Sequence, residues 1–168
     1  MLVLGGTRSG KSRVARDRAR RIAGDGVTFI ATARPGDPEL DARIAAHRRD
    51  RPAAWRTIDA SDDLAGTLAT VDDADVALLD SLTLWASLAV EAGRDLVASW
   101  RAAAAVVGRR PRATIVVSDE VGWGIVPTSP LARRFRDELG FLHQKVAADA
   151  NAVVLCVAGI PIAIKGAL

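Results

Sequence analysis

Apolar residues gather into short unbroken runs along this chain, and helix-patterned stretches separate them. The runs are Met1–Leu4, Val27–Ala31, Trp55–Ile58, Val76–Leu79, Thr114–Val117 and Val153–Val157, with Ile162–Ile164 as a candidate seventh. A strand with one wet face alternates apolar and polar positions, so unbroken runs fit strands covered on both faces. Between them, Ser12–Ile22, Pro38–Arg49, Leu82–Val107 and Pro130–Ala150 read as helical. Asp37 is the candidate N-cap for the second, with Pro38 in its first turn. Leu82–Val107 divides in two near Gly93. Leu131, Phe135, Leu139, Leu142 and Val146 recur at three- and four-residue steps, as a core-facing stripe does. The alternation predicts the α/β class: a mostly parallel central sheet flanked by helices, joined by right-handed crossovers. No repeat or low-complexity linker interrupts the 168 residues, which fit one domain over 1–168. Ligands of such sheets bind at the carboxyl ends of the strands, so polar residues after each run are the candidates for chemistry.

Composition narrows the setting. The chain is 49% hydrophobic and 26% charged, with net charge +3, as soluble globular proteins are. Its basic residues are scattered and nearly all arginine, Lys11, Lys145 and Lys165 being the only lysines. A basic stripe with interleaved aromatics is missing, which argues against nucleic acid as a partner; arginines beside an anionic small substrate account for the excess. Cys156 is the only cysteine and sits in an apolar run, so it reads as a buried core residue in a reducing cytoplasm. The N-terminus lacks the plan of a signal peptide. The longest apolar stretch, Ala152–Ile164, is broken by Gly159 and Pro161 and is too short for a membrane helix. Trp55, Trp85 and Trp100 read as core or interface residues, whereas Trp123, in the run Val121–Pro127, belongs to a candidate substrate lid.

The strongest chemical signal is Gly5-Gly6-Thr7-Arg8-Ser9-Gly10-Lys11-Ser12, which fits G-x-x-x-x-G-K-[ST] between a strand and a helix. Glycines let successive N–H groups curl toward phosphate oxygens, and the helix aims its N-terminus at the same anion. Lys11 would serve the β- and γ-phosphates and Ser12 a Mg²⁺ ion. Asp80 ends an apolar strand, where a second metal-positioning carboxylate belongs, although a helix-capping Asp looks the same in sequence. Glu120, at another strand end, reads either as a base or metal-positioning group or as a solvated loop acid. His47 lies among Arg48, Arg49 and Arg51. Their charge favours a neutral, nucleophilic imidazole, and such a ring can attack an α-phosphate and expel pyrophosphate; a surface or structural histidine is the competing reading. His143 has no such setting and reads as structural. Glu39 and Arg43 are spaced to pair on one helix face.

Taken together, these residues resemble the bifunctional adenosylcobinamide kinase / adenosylcobinamide-phosphate guanylyltransferase family of cobalamin biosynthesis. The resemblance runs nearly end to end. It includes the phosphate loop, Ile30-Ala31-Thr32-Ala33, Arg43-Ile44 with His47, Arg51-Pro52, Trp55-Arg56-Thr57, and Leu78-Leu79-Asp80 with Leu82-Thr83. Glu120-Val121-Gly122, Gly124-Ile125-Val126-Pro127, Phe135-Arg136-Asp137 and Gly159-Ile160-Pro161 with Ile164-Lys165 complete it. It implies a RecA-like P-loop fold and two reactions. ATP or GTP phosphorylates adenosylcobinamide; GTP then guanylylates a histidine, and GMP passes to the cobinamide phosphate, giving adenosylcobinamide-GDP and pyrophosphate. The histidine corresponds to His47. The remaining nucleotide contacts correspond to Ala31, Thr32, Ala33, Arg48, Arg49, Asp50, Arg51, Asp59 and Asp80. A homotrimer with sites near subunit boundaries is implied as well. Two positions depart from the family pattern: Asp59 stands where Glu is usual, and Asp119 where Asn is usual. The alternatives are a P-loop small-molecule kinase without guanylyl transfer and a nucleotide-gated interaction module.

Overall fold

Each apolar run forms a strand: β1 (Leu2–Gly5), β2 (Val27–Ala31), β3 (Arg56–Asp59), β4 (Val76–Asp80), β5 (Thr114–Asp119), β6 (Val153–Val157) and β7 (Ile160–Lys165). The helices are α1 (Lys11–Ala23), α2 (Pro38–Arg49), α3 (Leu64–Ala69), α4 (Leu82–Glu91), α5 (Leu96–Val107) and α6 (Pro130–Asp149). The structure, a computed structural model, describes residues 1–34, 36 and 38–167, without the side chains of Glu39, Leu40, Arg43 and His47. The expected Asp37 cap and the Glu39–Arg43 pair therefore lie outside the described residues.

All seven strands share one sheet in the order β3-β2-β4-β5-β1-β6-β7. Neighbours are parallel except β6 and β7. Successive strand residues enter two different cores. Leu2, Ile30, Leu79, Val116 and Val153 pack toward α3, α4, α5 and α6. Val3, Phe29, Leu78, Val117 and Val154 pack with Val14, Ala15 and Ala19 of α1. That double burial is why the runs do not alternate.

The antiparallel edge comes from Ala158-Gly159, both at positive φ (51° and 80°), which join β6 to β7. Two residues in that conformation make the tight turn that hairpins favour. β7 therefore starts at Ile160, two residues before the predicted run, and Pro161 is tolerated because the strand lies at the edge. Three further differences have local causes. Trp55 precedes β3 and packs in the α1-side core. Leu131 is exposed in the first turn of α6, so the buried stripe begins only after it, with Phe135 half-buried and Leu139, Leu142 and Val146 buried. The six-residue α3 is too short for a periodic signal; Asp63 caps it, accepting from the Gly66 N–H at 3.0 Å.

Candidate active site

Register fixes which residues reach the carboxyl edge of the sheet together. Gly5 pairs with Asp119 across β1 and β5. Ala31 pairs with Asp80 on one side and Asp59 on the other. From this edge the chain leaves β1 into a tight loop. Gly10 has φ 90°, and a Cβ there would stand 3.0 Å from the Gly159 Cα. At Gly5 a Cβ would come within 2.7 Å of the Cys156 carbonyl oxygen, so only glycine lets the loop pack against β6. The Ser9 N–H donates to the Gly6 carbonyl at 3.2 Å, and Ser9 O accepts from the Gly159 N–H at 2.9 Å. Helix α1 then begins with no side-chain cap and no acidic residue in its first turn. A helix end of this kind attracts an anion.

A cavity of about 690 Å³ opens over this edge. Thr7, Arg8, Ser9, Gly10, Lys11 and Ser12 form one wall. Arg48, Asp50 and Arg51, at the end of α2 and beyond, line the same space. Ala31, Ala33 and Asp80 contribute from the strand ends. The Arg51 guanidinium carbon lies 3.6 Å from the centre of the Phe29 ring, a cation–π stack. Its Nε and Nη1 are buried with no hydrogen-bond partner among the described residues. Burial lowers the Arg51 pKa, while the neighbouring Asp80 carboxylate opposes that shift. Stacked cations with spare donors suit an anionic ligand. Asp80 is the last residue of β4, and Ser81 caps α4, its Oγ accepting from the Leu84 N–H at 3.4 Å. The capping alternative for Asp80 is thereby excluded.

Other expected contacts sit farther back. Gly5 and Gly6 lie outside the lining, at the root of the loop. Thr32 is buried, donating to Ser81 O at 2.7 Å and accepting from the Ser81 N–H at 2.8 Å, so it braces β2 against β4. Arg49 is exposed, and Asp59 ends β3, where its charge reaches Arg51. Glu120 Oε1 accepts from the Gly122 N–H at 2.8 Å, and Oε2 is 3.8 Å from His143 Nδ1. Ala46 and Arg48, on either side of His47 in the chain, both line the cavity; the His47 side chain itself is outside the described residues.

The model of the family described as cobinamide kinase / cobinamide phosphate guanyltransferase matches residues 1–164. The chain belongs to this family. It is 44% identical over 168 residues to the bifunctional adenosylcobalamin biosynthesis protein CobP of Pseudomonas aeruginosa, covering 98% of this chain and 96% of the relative. It is 38% identical over 183 residues to the bifunctional adenosylcobalamin biosynthesis protein CobU of Escherichia coli K12, covering 98% and 99%. Among solved structures, a protein from Pyrococcus horikoshii OT3 is similar with a TM-score of 0.55 at 11% identity, covering 99% of this chain and 86% of that one. The flagellar accessory protein FlaH of Methanocaldococcus jannaschii is similar with a TM-score of 0.51 at 12% identity, covering 98% and 77%. At those identities the likeness concerns fold alone, and that fold is the RecA-like P-loop class.

This cobinamide kinase / guanyltransferase family member also lines its cavity with Arg13, Arg16, Phe29 and Asp119, which sequence reasoning did not place there. Arg13 and Arg16 lie three residues apart, on the face of α1 that Ser12 begins, a spacing that could have revealed them. Phe29 precedes Ala31 by two, the strand period. Asp119 ion-pairs with Lys11, whose Nζ also donates to the Gly6 carbonyl at 3.2 Å.

His143 is structural, as expected. Its Nε2 is 2.7 Å from Ser118 Oγ, which lies 2.9 Å from Thr83 Oγ1. Burial lowers its pKa, and Glu120 and Asp119 pull the other way. The folded protein keeps this ring neutral at pH values where the unfolded chain, titrating near 6.5, takes up a proton. Its contribution to stability is therefore lost as pH falls below the unfolded value. Between about pH 7.5 and 5.5, wild type should therefore lose more unfolding free energy than His143→Gln, measured by urea denaturation.

Proposed function

We propose that this chain carries out both reactions of its family in the one cavity, as a single nucleotide-binding domain. It phosphorylates adenosylcobinamide with ATP or GTP, then passes GMP from GTP to the cobinamide phosphate. The observation that most supports this reading is the meeting of two cationic walls. The uncapped start of α1 with Lys11, and Arg48 with Arg51, line the same cavity at the strand edge. The first wall suits the phosphate tail. The second brings the residues that flank His47 toward it.

In the kinase step, the cobinamide hydroxyl oxygen attacks the γ-phosphorus. The bond to the β,γ-bridging oxygen breaks, the nucleoside diphosphate leaves, and the hydroxyl proton passes to water or a strand-edge carboxylate. Lys11 and the loop N–H groups stabilise the charge that builds on the phosphate oxygens. Glu120, held by the Gly122 N–H, keeps the following loop at the edge of the site. In the guanylyl step, a ring nitrogen of His47 attacks the α-phosphorus and the bond to the β-phosphate oxygen breaks. Pyrophosphate departs, and the ring gives up its other proton to solvent. The ring then takes a proton back from solvent, an oxygen of the cobinamide phosphate attacks the same phosphorus, the P–N bond breaks to leave neutral His47, and GMP is transferred.

Ser12 and Asp80 fit a Mg²⁺ ion. Among the described residues no cluster of three or more His, Cys, Asp or Glu side chains forms a cage. One hydroxyl and one carboxylate beside a triphosphate are what Mg²⁺ commonly uses. When bound, the ion would neutralise phosphate charge. We further propose a cytoplasmic homotrimer. Among the described residues no helix is long and apolar enough to cross a membrane. Ile160, Ile162 and Ile164 leave an apolar face exposed on edge strand β7, which favours self-association.

Intact-mass measurement after incubation with GTP and Mg²⁺ tests the reading. A GMP adduct, stable to alkali and labile to acid, is expected. Phosphorylation of cobinamide without any adduct would reduce the protein to a kinase, and no cobinamide-dependent turnover would sink both activities.

A further inference from the structure

We propose that Asp119 is a built-in competitor for Lys11, which sets how tightly the cavity holds a polyphosphate. The inference rests on the reading that Gly5–Ser12 binds a triphosphate.

The carboxylate is held in place rather than loosely presented. β5 runs through Asp119, in register with Gly5 at the root of the phosphate loop. The next residue's N–H donates to the Gly5 carbonyl at 3.1 Å. The Asp119 N–H donates to Thr83 Oγ1 at 2.5 Å, and Thr83 is tied through Ser118 to His143. This buried polar chain, whose Ser118 is fully enclosed, fixes the main chain at 119. From there the side chain reaches Lys11 Nζ and lines the cavity with it.

A phosphate tail and this carboxylate are alternative anionic partners for one ammonium. To engage Lys11, β- and γ-phosphate oxygens must approach the Asp119 oxygens that already neutralise it. The carboxylate thus weakens attraction by offsetting the lysine and adds like-charge repulsion. Separations of about 4–6 Å at an effective dielectric of about 20 make that worth roughly tenfold or more in affinity. A nucleoside monophosphate, with nothing beyond its α-phosphate, does not contest Lys11. The arrangement weakens retention of pyrophosphate as well, which favours its departure after guanylyl transfer. Asp119 therefore acts through Lys11, as a positioning residue.

Calorimetric titration of wild type, Asp119→Asn and Asp119→Glu with a non-hydrolysable GTP analogue and with GMP tests this at low and high salt. Asp119→Asn should tighten the triphosphate analogue about tenfold or more, leave GMP within about twofold, and lose part of its advantage in high salt. Asp119→Glu, which keeps the charge, should stay close to wild type. Unchanged or weaker analogue binding in Asp119→Asn, or equal tightening of GMP, would overturn the proposal. So would a fall in kinase turnover at unchanged affinity, which would make Asp119 a proton acceptor instead. Absence of analogue binding to wild type would overturn the reading of the loop itself, and is thus a separate outcome.

Discussion

His47→Ala is expected to eliminate the GMP adduct and to cut guanylyl transfer by about a thousandfold or more, while cobinamide phosphorylation stays within about tenfold. The split follows from which phosphorus each reaction uses. On the proposed mechanism the kinase step acts on the γ-phosphate, at the far end of the tail, where Lys11 and the loop would stabilise charge. Guanylyl transfer acts on the α-phosphate, which needs a nucleophile from another element. α2 is the element whose residues 46 and 48 line the cavity. Thermal unfolding of the variant, compared with wild type, separates loss of the nucleophile from loss of the fold. The checks are intact mass, separate assays of the two steps and thermal unfolding. An adduct that persists in His47→Ala would place the nucleophile elsewhere.

Much of the frame was legible in the sequence because burial on both faces leaves a simple trace. Leu78 and Leu79 enter opposite cores, so β4 shows no polar position until its last residue. The phosphate loop was legible for a different reason: close packing against β6 leaves room only for glycine at Gly5. Elements that depend on contacts distant in the chain were harder to read. The apolar run marks β5 only as far as Val117, because Ser118 and Asp119 at its end are polar. Ser118 is nevertheless fully buried, satisfied by Thr83 and His143 from two helices. No local pattern announces a polar residue whose partners lie 35 and 25 positions away. The Lys11–Asp119 pair was hidden by the same shortfall, since it exists only where β5 reaches the register of Gly5. Asp80 was ambiguous for want of one fact, namely that the neighbouring Ser81 takes the capping role.

Arg51 links the frame to the chemistry. Phe29 is a core residue on β2, yet its ring carries the Arg51 guanidinium at the cavity. A packing residue thus presents a cation whose Nε and Nη1 have no acceptor among the described residues. Unsatisfied buried donors are costly, and a phosphate or purine acceptor in the cavity would satisfy them. On the proposed reading the phosphate loop would hold the ligand's tail and this wall a part nearer its middle, so that two reactions at two phosphorus atoms would share one bound nucleotide position.

Lys11→Met should separate from His47→Ala by damaging both reactions, each by about a hundredfold to a thousandfold. On the proposed mechanism the ammonium would stand where γ-phosphoryl transfer builds charge, and the same charge would help pyrophosphate leave in guanylyl transfer. Loss of the fold is not the expected cause. The Lys11–Asp119 pair lines the cavity, so water there can solvate the Asp119 carboxylate that the substitution leaves behind, which limits the cost of breaking a largely buried pair. Unfolding midpoints should therefore stay close to wild type while initial rates of both reactions collapse. Lys11→Arg should not restore them, because the planar guanidinium is broader than the ammonium that fits beneath Gly6 and beside Asp119. Near-normal guanylyl transfer in Lys11→Met would mean that the second reaction binds its triphosphate outside this loop, and the shared-site reading would fail.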